Sequence, residues 1–158
     1  MAKKKPKKES KFYTYIRHAI KGEGGHYHKL ADTFPSPRPD GKRFIPKKPY
    51  DNIFVWNGKA AYIEVKYMKE IAAFSTKKLS DFQNESLQEV CDNSADNIYS
   101  LVILGIYRPR EIKRIYIFDY SWLKQNSVSK YELWKCNKYI DIKNDTFAMN
   151  SFFNNIIG

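Results

Sequence analysis

The dipeptide Asn57-Gly58 stands between two runs rich in β-branched and aromatic residues, Tyr50–Trp56 and Lys59–Tyr67. Asn and Gly both tolerate the positive φ that a two-residue hairpin turn needs. The two runs are therefore expected to pair as antiparallel strands. A two-residue loop sets the register: Trp56 faces Lys59, and counting outward Asp51 faces Glu64. Directly opposite residues share a face. Lys66, two residues beyond Glu64, shares it too. Two carboxylates and one ammonium are thus expected to converge near the open end of the hairpin.

Two facing carboxylates repel, and the pKa of one rises. A divalent cation between them removes the repulsion. Ligands that are all oxygen suit Mg²⁺ or Mn²⁺, which retain several waters. Such an ion can generate hydroxide, stabilise a pentavalent phosphate and assist the leaving oxygen. The lysine can orient the water or neutralise charge on the phosphate. The plainer reading is a solvated surface hairpin carrying ordinary charges. Phe54, Ile63 and Val65 argue against it, because they suit a covered sheet.

Charge points to the substrate. The net charge is +11, and residues 1–11 hold six lysines against Glu9, a share of +5 that leaves +6 for the rest. A basic arm on a basic body suits a polyanionic partner, and nucleic acid fits best. No amphipathic basic helix or lipidation signal speaks for a membrane surface. The apolar stretch Phe12–Ile20 is interrupted by Arg17 and His18, which does not suit a signal peptide. No run reaches transmembrane length. Cys91 and Cys136 are far apart and form no C-x-x-C pair, so free thiols in a reducing compartment are expected. The reading is an intracellular protein, made by a cell or supplied by a virus, with no small-molecule cofactor.

A length of 158 residues and a 42% hydrophobic content suit a solvated arm over 1–11 and one domain over 12–158. Helix is expected before Gly22, and again from about Glu23 to Thr33, where Glu23, Tyr27 and Leu30 fall at i, i+4, i+7. Between Phe34 and Pro49, five prolines and five basic residues predict an irregular loop. Its cations (Arg38, Lys42, Arg43, Lys47 and Lys48), with Lys3, Lys4, Lys5, Lys7 and Lys8 of the arm, are candidate phosphate contacts. Ser80 and Gln83 form a capping-box pair at the head of a helix to Asn93, striped by Leu79, Phe82, Leu87 and Val90. Tyr99–Tyr107 reads as a buried central strand closed by Pro109, and Lys113–Tyr120 as a further strand. Short apolar runs follow around Tyr131–Trp134 and Phe147–Ile157. The H-x-H pair His26/His28 lacks a visible third metal ligand. Tyr13, Tyr15 and Arg17 suit either base stacking or the core. The run Lys3–Lys8 also fits a nuclear-localisation signal.

The string Pro49-Tyr50-Asp51, twelve residues, then Glu64-Val65-Lys66 resembles the signature of the PD-(D/E)XK nuclease superfamily. Within it the chain is most similar to Holliday-junction resolvases of the archaeal and bacterial RecU types. Phe74-Ser75-Thr76-Lys77-Lys78-Leu79 followed by Gln83 resembles the segment after the lysine strand in the RecU type, and Tyr99–Tyr107 occupies the place of the next core strand. The likeness covers about residues 12–120. It implies an α/β fold with a restriction-endonuclease-like core, a mixed central sheet flanked by helices. It implies Asp51, Glu64, Lys66 and Gln83 as catalytic residues, and metal ligands at Glu23, Asp51, Glu64 and Val65. It places Ser75, Thr76, Lys77 and Lys78 against DNA. A literal Pro39-Asp40 pair also exists, but the hairpin register favours Asp51.

These readings lead to a structure-selective endonuclease acting on branched DNA, with the four-way junction as substrate. Paired nicks need two sites related by a two-fold axis, so a homodimer is expected. The helix Ser80–Asn93 and the stretch Phe147–Phe153 are candidate interfaces, unless they complete the monomer core. The alternatives are another nuclease of the same superfamily, of restriction or nicking type, and a non-catalytic DNA-binding module.

The arm yields a first expectation. Deleting residues 2–11 should weaken DNA binding and flatten its salt dependence, because each lysine–phosphate contact releases counterions. Affinity measured against salt concentration for both forms checks this. Equal slopes would remove the arm from the interface.

Overall fold

The computed structural model describes residues 14, 17, 24–30, 36–37, 39–41, 43–44, 48–108, 110–141 and 149–158. Among them the hairpin forms as expected: β4 (Asn52–Trp56) pairs antiparallel with β5 (Lys59–Met68), Trp56 against Lys59. Asn57 and Gly58 have φ of 48° and 74°. Both central residues are left-handed, as a type I′ turn requires.

The ladder departs from the expected register at its open end. The last regular pair is Asn52 with Ile63. The Asp51 amide also donates to the Ile63 carbonyl, at 3.0 Å. Two residues of one chain segment thus stand against one of the other, the count of a β-bulge. Asp51 is therefore not paired with Glu64 in the ladder. Its carbonyl turns the other way and accepts from Leu30 N at 2.9 Å.

Within the segment read as helix from Glu23 to Thr33, His26–Lys29 instead form β1, antiparallel to β4. Gly24, at φ +76°, breaks any helix entering this segment. The vacant edge of β4 then offers hydrogen bonds that outweigh an i, i+4 pattern. Tyr27 faces Phe54 across the pair, and its hydroxyl donates to buried Asn52 Oδ1 at 2.6 Å. Within the proline-rich loop, β2 (Ser36–Pro37) and β3 (Arg43–Phe44) form a small ladder of their own.

After β5, a 3₁₀ turn (Thr76–Lys78) leads into α1 (Asp81–Asn93), capped by Ser80 and Gln83 as a complete capping box. The chain then returns as β6 (Ile98–Arg108), parallel to β5. β7 (Ile112–Asp119) runs antiparallel to β6. Next come α2 (Tyr120–Gln125), α3 (Lys130–Lys135), β8 (Ile140–Asp141), α4 (Met149–Asn154) and β9 (Ile156–Ile157). The described sheet runs β1-β4-β5-β6-β7-β8, with β9 also on β7. It is a mixed central sheet in an α/β fold, as the sequence resemblance implies.

Helices cover both faces. Leu87 of α1, Leu123 of α2 and Leu133 of α3 pack with Val102, Leu104, Tyr116 and Phe118. Phe152 of α4 packs with Phe54, Ile63, Val65 and Ile103 on the other side. Of the stretch Phe147–Phe153, one candidate dimer interface, Phe152 and Phe153 are thus committed to the core. Phe152 is fully buried, edge-on to Phe54 at 4.8 Å between centroids, and Phe153 stacks on Trp56. No described helix is long and apolar enough to cross a membrane.

Phe152→Ala removes a buried ring that joins the last helix to the hairpin. It should cost about 3–5 kcal/mol of stability, read as a lowered denaturation midpoint. A loss below about 1 kcal/mol would mean that α4 docks by other contacts.

Candidate metal and catalytic site

Alternation along β5 sends Ile63 and Val65 to one face and Glu64 and Lys66 to the other. The α1 side covers the second face, so Glu64 is buried, 2% exposed, although it is a carboxylate. Its Oε1 accepts from Gln83 Nε2 at 2.6 Å and lies 3.3 Å from Lys66 Nζ. Lys66 Nζ in turn donates to Gln83 Oε1 at 3.2 Å, and the Ser80 amide donates to the same oxygen at 3.0 Å. Two donors on Oε1 of Gln83 leave its amide nitrogen to serve Glu64. The capping box of α1 therefore also orients the site.

The bulge places Asp51 beside this group. With the Asp51 backbone displaced from the ladder, the Val65 amide donates to the side-chain oxygen Oδ2 at 3.1 Å. In an extended strand the N–H and C=O of one residue point to the same side, so the Val65 carbonyl is turned toward Asp51 as well. Lys48 Nζ lies 3.4 Å from Asp51 Oδ1. The second Glu64 oxygen, Oε2, is buried with no hydrogen-bond partner. Its neighbour Asp51 offers only acceptors while both acids are ionised.

Burial pushes the Glu64 carboxyl up to about 8; the Asp51 charge and, once Glu64 is protonated, a side-chain hydrogen bond to Asp51 push the same way, and Lys66 opposes them. An orphaned buried carboxylate oxygen, a second carboxylate and a main-chain carbonyl turned to the same side fit a hard divalent cation. Asp51, Glu64 and Val65 are the residues that would hold it.

The other site residues expected from sequence divide clearly. Gln83 joins Glu64 and Lys66. Ser75 precedes the 3₁₀ turn that holds Thr76, Lys77 and Lys78; this turn leads directly into Ser80, and both lysines are exposed. Lys48 ion-pairs with Asp51, a link that spacing did not reveal although the three-residue separation allowed it. Asp40 is exposed in the turn between β2 and β3, which pair in a small sheet separate from the one that carries Glu64. His26 and His28 are exposed at the sheet edge. Among the described residues no group of three or more His, Cys, Asp or Glu side chains gathers in metal-binding geometry. Glu23, Lys3, Lys4, Lys5, Lys7, Lys8, Arg38, Lys42 and Lys47 lie outside the described residues, as does the side chain of Arg43.

No family model matches the sequence, and no curated protein matches it. Solved structures do give matches. One of them is Hjc, a Holliday junction resolvase from the archaeal hyperthermophile Archaeoglobus fulgidus. It is 18% identical, with 78% of this chain and 98% of that chain covered, at a TM-score of 0.42. At that level of likeness, the chemistry of the site rests on this chain's own residues.

The raised Glu64 pKa has a defined sign. A carboxyl whose folded pKa exceeds its unfolded value stabilises the fold at low pH and loses that contribution as pH rises through the folded value. Without divalent metal, the melting temperature should fall as pH rises from about 5 to about 9. Glu64→Gln should flatten this dependence, and added Mn²⁺ should raise the melting temperature most at the alkaline end, because binding displaces a proton. A Glu64→Gln profile parallel to that of the parent would place the titration elsewhere.

Proposed function

We propose that the chain is a metal-dependent DNA endonuclease that hydrolyses phosphodiester bonds in branched DNA. The observation that carries this reading is the unpartnered, buried Oε2 of Glu64 beside Asp51, with Lys66 tethered to the other oxygen. Asp51, Glu64 and the Val65 carbonyl would hold a divalent cation, which would supply charge stabilisation at the scissile phosphate and acidify the attacking water. Lys66 has its ammonium held between Glu64 and Gln83, next to that position. There it orients the water and offsets charge growing on the phosphate. Gln83 keeps the lysine and glutamate in register with one another, and Ser80 keeps Gln83 in place. Lys77 and Lys78, exposed on the adjoining turn, suit contact with the phosphate backbone.

The narrower reading is a resolvase of four-way junctions. It follows from the sequence resemblance and requires a two-fold dimer that presents two such sites to one substrate. With Phe152 and Phe153 committed to the core, the exposed side of α1 remains the candidate interface among those considered.

Asp51→Asn, Glu64→Gln and Lys66→Ala should each lower the cleavage rate by at least ~10²-fold while DNA binding persists. Asp40→Asn should cut normally. The assay compares labelled four-way junction, flap and linear duplex DNA with Mg²⁺, alongside light scattering for the oligomeric state. Near-normal turnover in all three site variants would sink the assignment. A monomer that cuts linear duplex as readily as a junction would leave a simpler nuclease on the same residues.

A further inference from the structure

Three large hydrophobic side chains are exposed among the described residues, and two of them, Tyr131 at 62% and Trp134 at 56%, sit on α3. Their i, i+3 spacing puts them on one helix face, while Leu133 turns inward and is fully buried. Cations lie against both rings. Lys135 Nζ is 4.5 Å from the centre of Tyr131, and the Arg114 guanidinium is 5.2 Å from that of Trp134 and 4.1 Å from that of Tyr139.

Arg114 is anchored rather than free to swing. It donates to the Tyr116 hydroxyl at 3.1 Å, and that hydroxyl donates to the Leu133 carbonyl at 2.7 Å. The aromatic ledge and its arginine are therefore built from β7 and α3 together. Beside the ledge opens a cavity of about 410 Å³ lined by Arg110, Lys113, Arg114 and Tyr139 together with the acids Glu111 and Asp141.

Register relates this surface to the carboxylates. Met68 of β5 pairs with Ile106 of β6, and Ile106 pairs with Arg114 of β7. Arg114 thus shares the sheet face of Glu64 and Lys66, one pleat beyond Lys66 and two strands across. Strand spacings put it roughly 12 Å from Lys66 along that face.

We propose that the ledge formed by Tyr131, Trp134, Arg114 and Tyr139 is a second nucleic-acid site, which stacks the bases of an unpaired strand. Exposed rings interleaved with cations suit bases and phosphates at once. The site extends the nuclease reading to branched substrates that carry an unpaired strand, such as a flap, and it rests on that reading for its biological substrate. Binding itself can be measured with no cleavage.

The full-length protein is titrated, without divalent metal, with oligothymidylate of about twelve nucleotides and with a duplex of equal length. Tryptophan emission and fluorescence anisotropy are both followed. Single strand should quench the emission. Trp134→Ala and Tyr131→Ala, at exposed positions, should each weaken single-strand binding on the order of 10-fold. Duplex binding should change little, and Trp134→Ala should remove most of the quench. Glu64→Gln should leave the quench intact, so failure of the hydrolytic reading and failure of this one are distinguishable. Unchanged single-strand affinity in both ledge variants would overturn the proposal. Equal losses for single strand and duplex would also overturn it, because they would show a general phosphate contact and not base stacking.

Discussion

A carboxylate held inside a sheet covered on both faces is the constraint on which the site depends. Glu64 sits on β5 between the hairpin partner β4 and the central strand β6, with α1 over its face. An isolated charge there would be costly, and ionisable groups so placed either neutralise or acquire partners. The chain supplies partners for one oxygen only. Gln83 and Lys66 serve Oε1, while Oε2 is left against the acceptor atoms of Asp51. Burial and Asp51 accordingly raise the pKa, and Lys66 moderates the rise without cancelling it. Strongly shifted groups of this kind cluster where charge is to be met by a ligand or an ion.

The bulge at Asp51 makes this possible. A regular ladder would have continued β4 alongside Val65 and paired its amide with backbone. Instead the backbone doubles up opposite Ile63, and the Asp51 side chain takes the Val65 amide. One hydrogen bond from that amide thereby fixes the carboxylate at the strand edge, and the Leu30 amide, just past β1, donates to the displaced carbonyl. Bulges commonly re-aim a side chain in this way next to functional sites. Lys48 then approaches Asp51 from the preceding segment.

Sheet geometry also organises the surface beyond the site. Alternation sends Glu64, Lys66 and Met68 to the same face of β5, and parallel then antiparallel pairing carries that face across β6 to Tyr116 and Arg114. The carboxylates, the lysine-bearing turn before α1 and the aromatic ledge on α3 therefore belong to one side of the sheet. The opposite side is closed by Phe152 and its neighbours and carries the more uniformly apolar cluster.

Local chemistry made much of this legible in the sequence. Asn57-Gly58 specified the hairpin because few residue pairs suit two successive left-handed positions. Ser80 with Gln83 marked the head of α1 because a helix start needs just those acceptors. The apolar run of β6 announced a strand buried on both faces. The shared face of Glu64 and Lys66 followed from strand alternation, the nearness of Asp51 was expected from a turn register that the bulge then changed, and Gln83 came from resemblance. What spacing could not show depends on contacts between segments distant in sequence. The strand at His26–Lys29 exists because β4 has an edge to be paired, and the local helical pattern gives no sign of that edge. Asp51 leaves the ladder because the Val65 amide and the Leu30 amide both compete for it, one from each side. The ledge joins Arg114 to Trp134 and Tyr139 only once α3 folds back over β7. Periodicity and turn chemistry act over a few residues, so the sequence by itself determined the hairpin, α1, β6 and β7, and the shared face of Glu64 and Lys66. The tertiary structure alone decided which oxygen is left without a partner, because that depends on every segment that reaches it.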